Sequence, residues 1–355
     1  MEGTCLAALV RMAIALCRAA ERACPRTGPG RPPEYEAWKI AVLIMAAVLK
    51  KRKSKSAQYR FLDEHRRELM GWLGLKRFPA RSTYFDRYRR AHRLFEVAIR
   101  LQGEKAIEEG VADPETVAVD QSLLPARGPL WHKKDRQANR VPQGLRGVDR
   151  DSTWGYSSHH GWVQGYAYEV VVTASEDSTV FPLLASAHTA CVSEHVTFGP
   201  KIESLPQETQ NVLADSGYDN NAYGDKIEYD DDGRRTGCRF ICPQNPRGRG
   251  KRSTKRRRKH TPTPTDTTGQ RRRTRVALYE SKKGSRLYAL RGQKVEPFND
   301  WFKSLFELDN RVWHRGLGNN QTQLLAAIFC YQLLVRYNHR RGRQNGQIRW
   351  IVDTL

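Results

Sequence analysis

Two short apolar runs constrain this chain more than any other feature. Thr116-Val117-Ala118-Val119 and Asn211-Val212-Leu213-Ala214 each suit one buried strand, and each is followed by an acid, Asp120 and Asp215. A carboxylate at the end of a buried strand is costly unless it is paired or holds a cation. Open sheets place their ligand sites at strand C-termini, so both acids are expected at one crevice. A third acid, Glu296, lies near the start of an apolar helical run, Val295 to Leu308. Three carboxylates from separate elements could hold two divalent cations roughly 3.5–4 Å apart. Oxygen-only ligands favour Mg²⁺, with Mn²⁺ as a substitute. With 38 acids in the chain, composition alone offers many such triples, and Asp120 by itself also reads as a turn or N-cap residue.

The rest of the pattern surrounds these runs. Residues 1–110 read as helical, and 111–340 as a second unit with a basic insertion at 244–280 and a short tail, 341–355. The stretch from Leu6 to Cys17 is interrupted by Arg11 and reads as an amphipathic helix rather than a signal peptide. Trp38 to Leu49 is an apolar run, and Tyr59, Leu62, Leu69, Leu73 and Leu75 recur at helical spacing. Ser82 is the expected N-cap of a helix from Thr83 to Leu101 that carries Arg87, Arg89, Arg90, Arg93 and Arg100. That helix suits either a helix-turn-helix DNA binder or a small bundle with solvated arginines.

Beyond Thr116, β-branched runs at Tyr166–Thr173 and Thr179–Ala187 flank the turn Ser175-Glu176-Asp177-Ser178. Residues 127–165 read as a long loop or hairpin. Ser193–Leu205 reads as a helix, Gly237–Cys242 as a strand and Leu287–Leu290 as a further short strand. Asp219 is the expected N-cap of the helix that follows it. The order predicts an α/β fold: a mixed sheet flanked by helices, preceded by an all-α N-terminal domain.

Charge narrows the partner. The net charge is +23 and the pI about 10.0, a balance that favours a polyanion, with nucleic acid foremost. The basic runs, including Lys255-Arg256-Arg257-Arg258-Lys259, lie in Pro- and Thr-rich sequence and not on an amphipathic helix. They are expected to touch DNA backbone without reading its sequence. No apolar run approaches the roughly 20 residues a membrane span needs, so a cytoplasmic, nucleoid-associated location is expected. Seven scattered cysteines fit the same compartment, and Cys238 and Cys242 have no second pair at zinc spacing. His159 and His160 lack a metal-spaced partner and read as loop residues.

The stretch Ala214-Asp215-Ser216-Gly217-Tyr218-Asp219 resembles the second-aspartate motif of bacterial insertion-sequence transposases with an RNase H-like catalytic domain. That family carries a C-terminal Tyr-x2-Arg-x3-Glu-x6-Lys signature. Here Tyr288-x2-Arg291-x4-Glu296-x6-Lys303 matches its Tyr–Arg and Glu–Lys spacings, with one extra residue between Arg and Glu. Asp151-Ser152-Thr153-Trp154-Gly155-Tyr156, Gly30-Arg31-Pro32-Pro33 and Pro79-Ala80-Arg81-Ser82-Thr83 resemble other parts of the family more loosely. The likeness runs from about residue 30 to 340.

The resemblance implies an Asp-Asp-Glu triad of Asp120, Asp215 and Glu296 that holds Mg²⁺. It implies metal-dependent cleavage at the ends of a mobile element, followed by attack of the freed 3′-hydroxyl on target DNA, or on the opposite strand to form a hairpin. Tyr288, Arg291 and Lys303 would grip DNA phosphates, Arg in a bidentate manner and Lys as a point charge. Trp162 is the candidate for stacking on a base, whereas Trp301 reads as core. Arg81 and Arg256, Arg257 and Arg258 are further candidate DNA contacts. The expected partners are double-stranded DNA, as terminal inverted repeats and target, and a second copy of the chain on that DNA. An RNase H-like nuclease without strand transfer shares the triad, and a non-catalytic DNA-binding descendant shares the charge. An RNA-binding protein would show stacking aromatics on adjacent strands, a pattern the sequence lacks.

Overall fold

A computed structural model describes residues 5–24, 33–157, 161–245, 267–343 and 346–355. The N-terminal third is helical: α1 (Cys5–Ala23), α2 (Ala37–Leu49), α3 (Lys55–Glu64), α4 (Arg66–Leu73), α5 (Arg81–Tyr88) and α6 (His92–Glu108). A helix that is apolar all round must be buried. In α2, every residue from Ile40 to Leu49 is buried. The long C-terminal helix α13 (Leu317–Arg340) lies beside it, packs on α6 and also meets the sheet. Cys330 of α13 donates its thiol to the Met45 carbonyl of α2 at 3.6 Å. One apolar cluster therefore runs through the helical unit and the sheet.

The expected helix from Thr83 to Leu101 is two helices, and its start lies at Arg81 after Ala80, without a side-chain cap. At the break, Arg89-Arg90-Ala91, turn bonds of the i to i+3 kind replace the helical ones, with Arg90 N–H on the Arg87 carbonyl at 3.1 Å and Ala91 N–H on the Tyr88 carbonyl at 3.3 Å. The Tyr88 carbonyl also accepts from Thr322 of α13 at 2.7 Å, which ties this turn to the long helix.

The sheet is built from β1 (Thr116–Pro125), β2 (Thr153–Ser157), β3 (Gly161–Thr173), β4 (Pro182–Thr189), β5 (Asn211–Leu213) and β6 (Arg239–Ile241). The short helix α7 (Lys133–Gln137) precedes β2. β3 is central: β1 pairs antiparallel along one edge, while β2 and β4 pair antiparallel along the other. β5 runs parallel to β1, and β6 parallel to β5. The order β4-β3-β1-β5-β6, antiparallel and then parallel, is that of an RNase H-like sheet.

Between β4 and β5 the expected single helix is two short ones, α8 (Glu194–Thr197) and α9 (Gly199–Ile202). Pro200 has no N–H to continue the first helix. α10 (Asn221–Glu228) follows β5. Its N-cap is Asn220, which accepts from the Ala222 N–H at 2.9 Å. The neighbouring Asp219 instead takes the Arg272 guanidinium and the Asn245 N–H.

After the basic segment come α11 (Thr267–Glu280) and α12 (Lys282–Leu305). Leu287–Leu290 lies inside α12 and is not a strand. Ser281 caps this helix by accepting from the Gly284 N–H at 3.0 Å. Leu290, Val295, Phe298 and Phe302 then continue at helical spacing as buried residues. The α11–α12 corner is so tight that a Cβ on Gly284 would sit 1.9 Å from the Leu278 carbonyl oxygen. α14 (Arg349–Thr354) closes the described chain. No described helix is long and apolar enough to cross a membrane.

Candidate active site

The register of two parallel strands brings Asp120 and Asp215 together. Thr116 pairs with Asn211 and Ala118 with Leu213, an offset of 95 residues (211 − 116). The same offset separates Asp120 from Asp215, so the two acids stand level. β5 ends at Leu213, and beyond it β1 has β3 alone as neighbour. Asp120 thus sits mid-strand, not at a strand end as the sequence suggested, because pairing with β3 extends β1 to Pro125.

The aspartates differ in surroundings. Asp120 is 16% exposed and Asp215 38%, so Asp215 forms the open side of the crevice. Asp120 accepts from Arg291 at 2.5 Å through Oδ1 and from the Asn299 amide at 2.8 Å through Oδ2. Asn299 is oriented in turn by the Tyr168 hydroxyl of β3, which donates to its Oδ1 at 2.8 Å. The same guanidinium reaches Asp215 Oδ2 at 3.8 Å.

Burial pushes the Asp120 carboxyl up to about 6, helped by repulsion from Asp215 and opposed by Arg291 and Asn299. The two carboxylates raise Arg291 above its usual value despite its burial. Asp215 also caps the 3₁₀ turn Ser216–Tyr218, accepting from the Gly217 N–H at 2.7 Å.

Glu296 lies on α12, exposed to solvent, one residue before Pro297 within the helix. Among the described residues, no three His, Cys, Asp or Glu side chains are arranged to hold one metal ion as they stand. Lys303 is half-buried on α12; desolvation lowers its ammonium, and the nearby acids Asp300, Asp120 and Asp309 oppose this. Tyr288 is half-buried and stacks edge-on against Tyr279 at 5.1 Å. Burial raises its hydroxyl, with Arg291 opposing and Asp215 adding to the rise. Arg291, Tyr288 and Lys303 therefore all lie within electrostatic reach of the aspartate pair.

Other candidates lie elsewhere. Trp162 is 64% exposed on β3 and packs edge-on against Tyr156 of β2 at 5.5 Å. It belongs to a strand, not to the loop expected from its sequence. Arg81, at the start of α5, donates to Ser56 at 2.8 Å. Trp301 is partly buried against the core, beneath the Arg349 guanidinium. Arg256, Arg257 and Arg258, with His159 and His160, lie outside the described residues. The described end of the basic insertion is the helix α11, and its arginines face acids of α10. Arg275 donates to Asp225 at 2.9 Å, and Arg271 stacks over Tyr229 at 3.7 Å.

Sequence reasoning missed Glu194, the first residue of α8. A Cβ on Gly217 would sit 1.9 Å from Glu194 Oε2 and 2.9 Å from Asp215 Oδ1, so both carboxylates border this glycine. Burial raises the Glu194 carboxyl to about 7, with Asp215, Glu169 and Asp120 adding to the rise. Its one sequence signal is an acid opening a helix after a strand. Asn299 had no signal in a single sequence beyond its place on the apolar side of α12.

A family model described as a transposase DDE domain matches residues 112–333, more than half of the chain. The chain belongs to this transposase family. The matched span opens just before β1 and closes within α13, so it includes Asp120, Asp215 and Glu296. None of the curated proteins matches the chain. Among solved structures it is similar to the cryo-EM structure of a piggyBac transposase synaptic complex with hairpin DNA. That likeness covers 97% of this chain and 76% of the other, with a TM-score of 0.38 and 12% sequence identity. Divalent metal ions are general to DDE transposases. The two aspartates of this transposase domain fit such an ion by chemistry: they are hard oxygen donors whose close approach already demands a cation.

Proposed function

We propose that the chain is a DNA transposase that cleaves strands at the ends of a mobile element and transfers them into target DNA. The observation that carries this reading is the level pair of Asp120 and Asp215 beneath α12, whose Arg291 reaches both carboxylates; Glu296 and Lys303 lie further along the same helix. Asp120 and Asp215 would hold one Mg²⁺ between them, and Glu296 would complete the coordination of a second, with Mn²⁺ as a substitute. When bound, these ions would stabilise the attacking and leaving oxygens at one phosphodiester.

The chain's own groups have separate tasks in this reading. Asn299, held by Tyr168, orients the Asp120 carboxylate. Arg291 neutralises the aspartate pair and is within reach of a phosphate entering on the Asp215 side. Tyr288 and Lys303 flank it on α12. Trp162, presented on the outer part of the β2–β3 hairpin, offers an aromatic face to a base. The helical unit, with Arg81 and the arginines of α5 and α6, would bind the terminal inverted repeats of double-stranded DNA, and Arg256–Arg258 would follow its backbone. Two copies would assemble on the paired ends.

The test is a cleavage-and-joining assay with Mg²⁺ on DNA carrying the ends that flank this gene. Wild type and Glu296→Ala are compared, with Glu194→Gln alongside because that carboxylate borders Asp215. Joined product lost in Glu296→Ala alone supports the transposase with Glu296 as third acid. Loss in Glu194→Gln alone reassigns that acid. Cleavage without joining indicates a nuclease, and binding without cleavage a DNA-binding descendant.

A further inference from the structure

Glu169 is wholly buried in the middle of β3, and both of its carboxylate oxygens are hydrogen-bonded. Across the sheet Asp120 pairs with Val170, and Gln121 with Glu169. Successive residues of a strand point to opposite faces, so Glu169 lies on the face away from Asp120 and α12.

Three donors meet its carboxylate there. Lys201 of α9 donates to Oε1 at 2.7 Å. Oε2 accepts from the Tyr218 hydroxyl at 2.9 Å and from Thr197 at 2.5 Å. The other protons of the Lys201 ammonium go to Ser186 of β4 at 2.7 Å and to the Thr197 carbonyl at 2.8 Å. An ammonium has three protons to give, and all three are placed.

This network reaches the acids through two segments. Tyr218 ends the 3₁₀ turn that Asp215 opens, and its N–H returns to the Asp215 carbonyl at 3.1 Å. Thr197 ends α8, whose first residue is Glu194. One carboxylate thus ties β3 to the turn bearing Asp215 and to the helix bearing Glu194. A buried ion pair contributes little net stability compared with apolar residues of the same volume, so stability alone is a weak reason for its presence.

We infer that Glu169 is a positioning residue: acting through Tyr218, it fixes the Asp215 carboxylate, and Lys201, bonded to its other oxygen, holds the Glu169 carboxylate in place for that task. The inference rests on the reading that Asp215 holds a divalent cation. α12 secures Asp120 from one face of the sheet, and the Glu169 network secures Asp215 from the other.

The experiment uses the full chain with Mn²⁺ as probe, its free fraction read by electron paramagnetic resonance, beside DNA cleavage kinetics. Tyr218→Phe removes one hydroxyl and leaves the ring in its pocket. Glu169→Gln, Lys201→Met and Asp215→Asn complete the set. Outer-shell partners of metal ligands typically contribute about 10–100-fold. The expected result is Mn²⁺ affinity weakened by about that factor in Tyr218→Phe and Glu169→Gln, with kcat lowered and KM for DNA unchanged.

Should Glu169→Gln fail to fold, Tyr218→Phe decides. A lower melting temperature with wild-type Mn²⁺ affinity and kcat would overturn the positioning role and leave a structural one. Wild-type Mn²⁺ affinity in Asp215→Asn would overturn the assignment of Asp215 itself, and the inference with it. Loss in Asp215→Asn with no change in Tyr218→Phe would overturn the inference alone.

Discussion

The guanidinium of Arg291 stands between the carboxylates of Asp120 and Asp215, 2.5 Å from the first and 3.8 Å from the second. It is a cation from α12 placed between two acids from neighbouring parallel strands. Arg291→Gln should therefore leave two repelling carboxylates without their counter-charge. Mn²⁺ affinity without DNA is expected to rise, because nothing competes for the pair, while cleavage falls. A titration of Mn²⁺ beside a cleavage time course checks both, and weaker Mn²⁺ binding in the variant would contradict the competition.

Asp120→Ala and Asp215→Ala are expected to reduce cleavage to background while DNA binding survives, since neither side chain supports the helical unit. Cleavage gels paired with mobility shifts on the same DNA provide the check. A variant that cleaves as wild type removes its residue from the chemistry.

Gly217→Ala is expected to lower activity without unfolding the chain. Its new Cβ would meet Glu194 Oε2 at 1.9 Å and Asp215 Oδ1 at 2.9 Å, both at the ends of side chains that can move. The displaced groups are acids of the site. Circular dichroism should be unchanged while kcat drops; equal loss of both would assign the glycine to folding instead.

DNA binding should weaken steeply with salt, as contacts dominated by phosphate require. Each phosphate neutralised contributes about −0.9 to the slope of log affinity against log salt. Deleting residues 247–265 should reduce that slope, and an unchanged slope would show that the basic segment does not contact the backbone.

Acid should destabilise the fold through Glu109 and His314. Burial raises Glu109, but hydrogen bonds from Arg336 and Arg340 outweigh it and hold the carboxyl at about 2. An acid depressed in the folded state contributes stability above its unfolded value, here about 4.5, that is lost as pH falls towards about 2. Burial lowers His314 from about 6.5 to about 3, where it shares a hydrogen bond with Tyr88 at 3.0 Å. The unfolded chain binds that proton first, so stability also falls between about pH 6.5 and 3. Denaturant melts across pH should show a shallower acid loss in Glu109→Gln below pH 4.5 and in His314→Phe above it. Unchanged profiles would place the acid sensitivity elsewhere.

The sequence by itself determined the elements whose burial pattern is local. The apolar run from Ile40 to Leu49 of α2, the β-branched β3 and the apolar stretches leading to Asp120 and Asp215 were legible because side-chain periodicity follows from backbone geometry. The motif around Asp215-Ser216-Gly217-Tyr218 and the spacing of Tyr288, Arg291, Glu296 and Lys303 identified the family likeness.

Tertiary structure decided the rest. Leu287–Leu290 is apolar enough for a strand, and only its place between the Ser281 cap and the face packed on the sheet makes it helix. At the break between α5 and α6 the Tyr88 carbonyl accepts from Thr322, more than 200 residues away, a contact that the local sequence does not reveal. Glu194, Asn299 and the buried Glu169–Lys201 pair gain their relation to the aspartates only when strands and helices distant in sequence are brought together. Periodicity reports which side of an element is buried; it carries no information on which other element lies against that side.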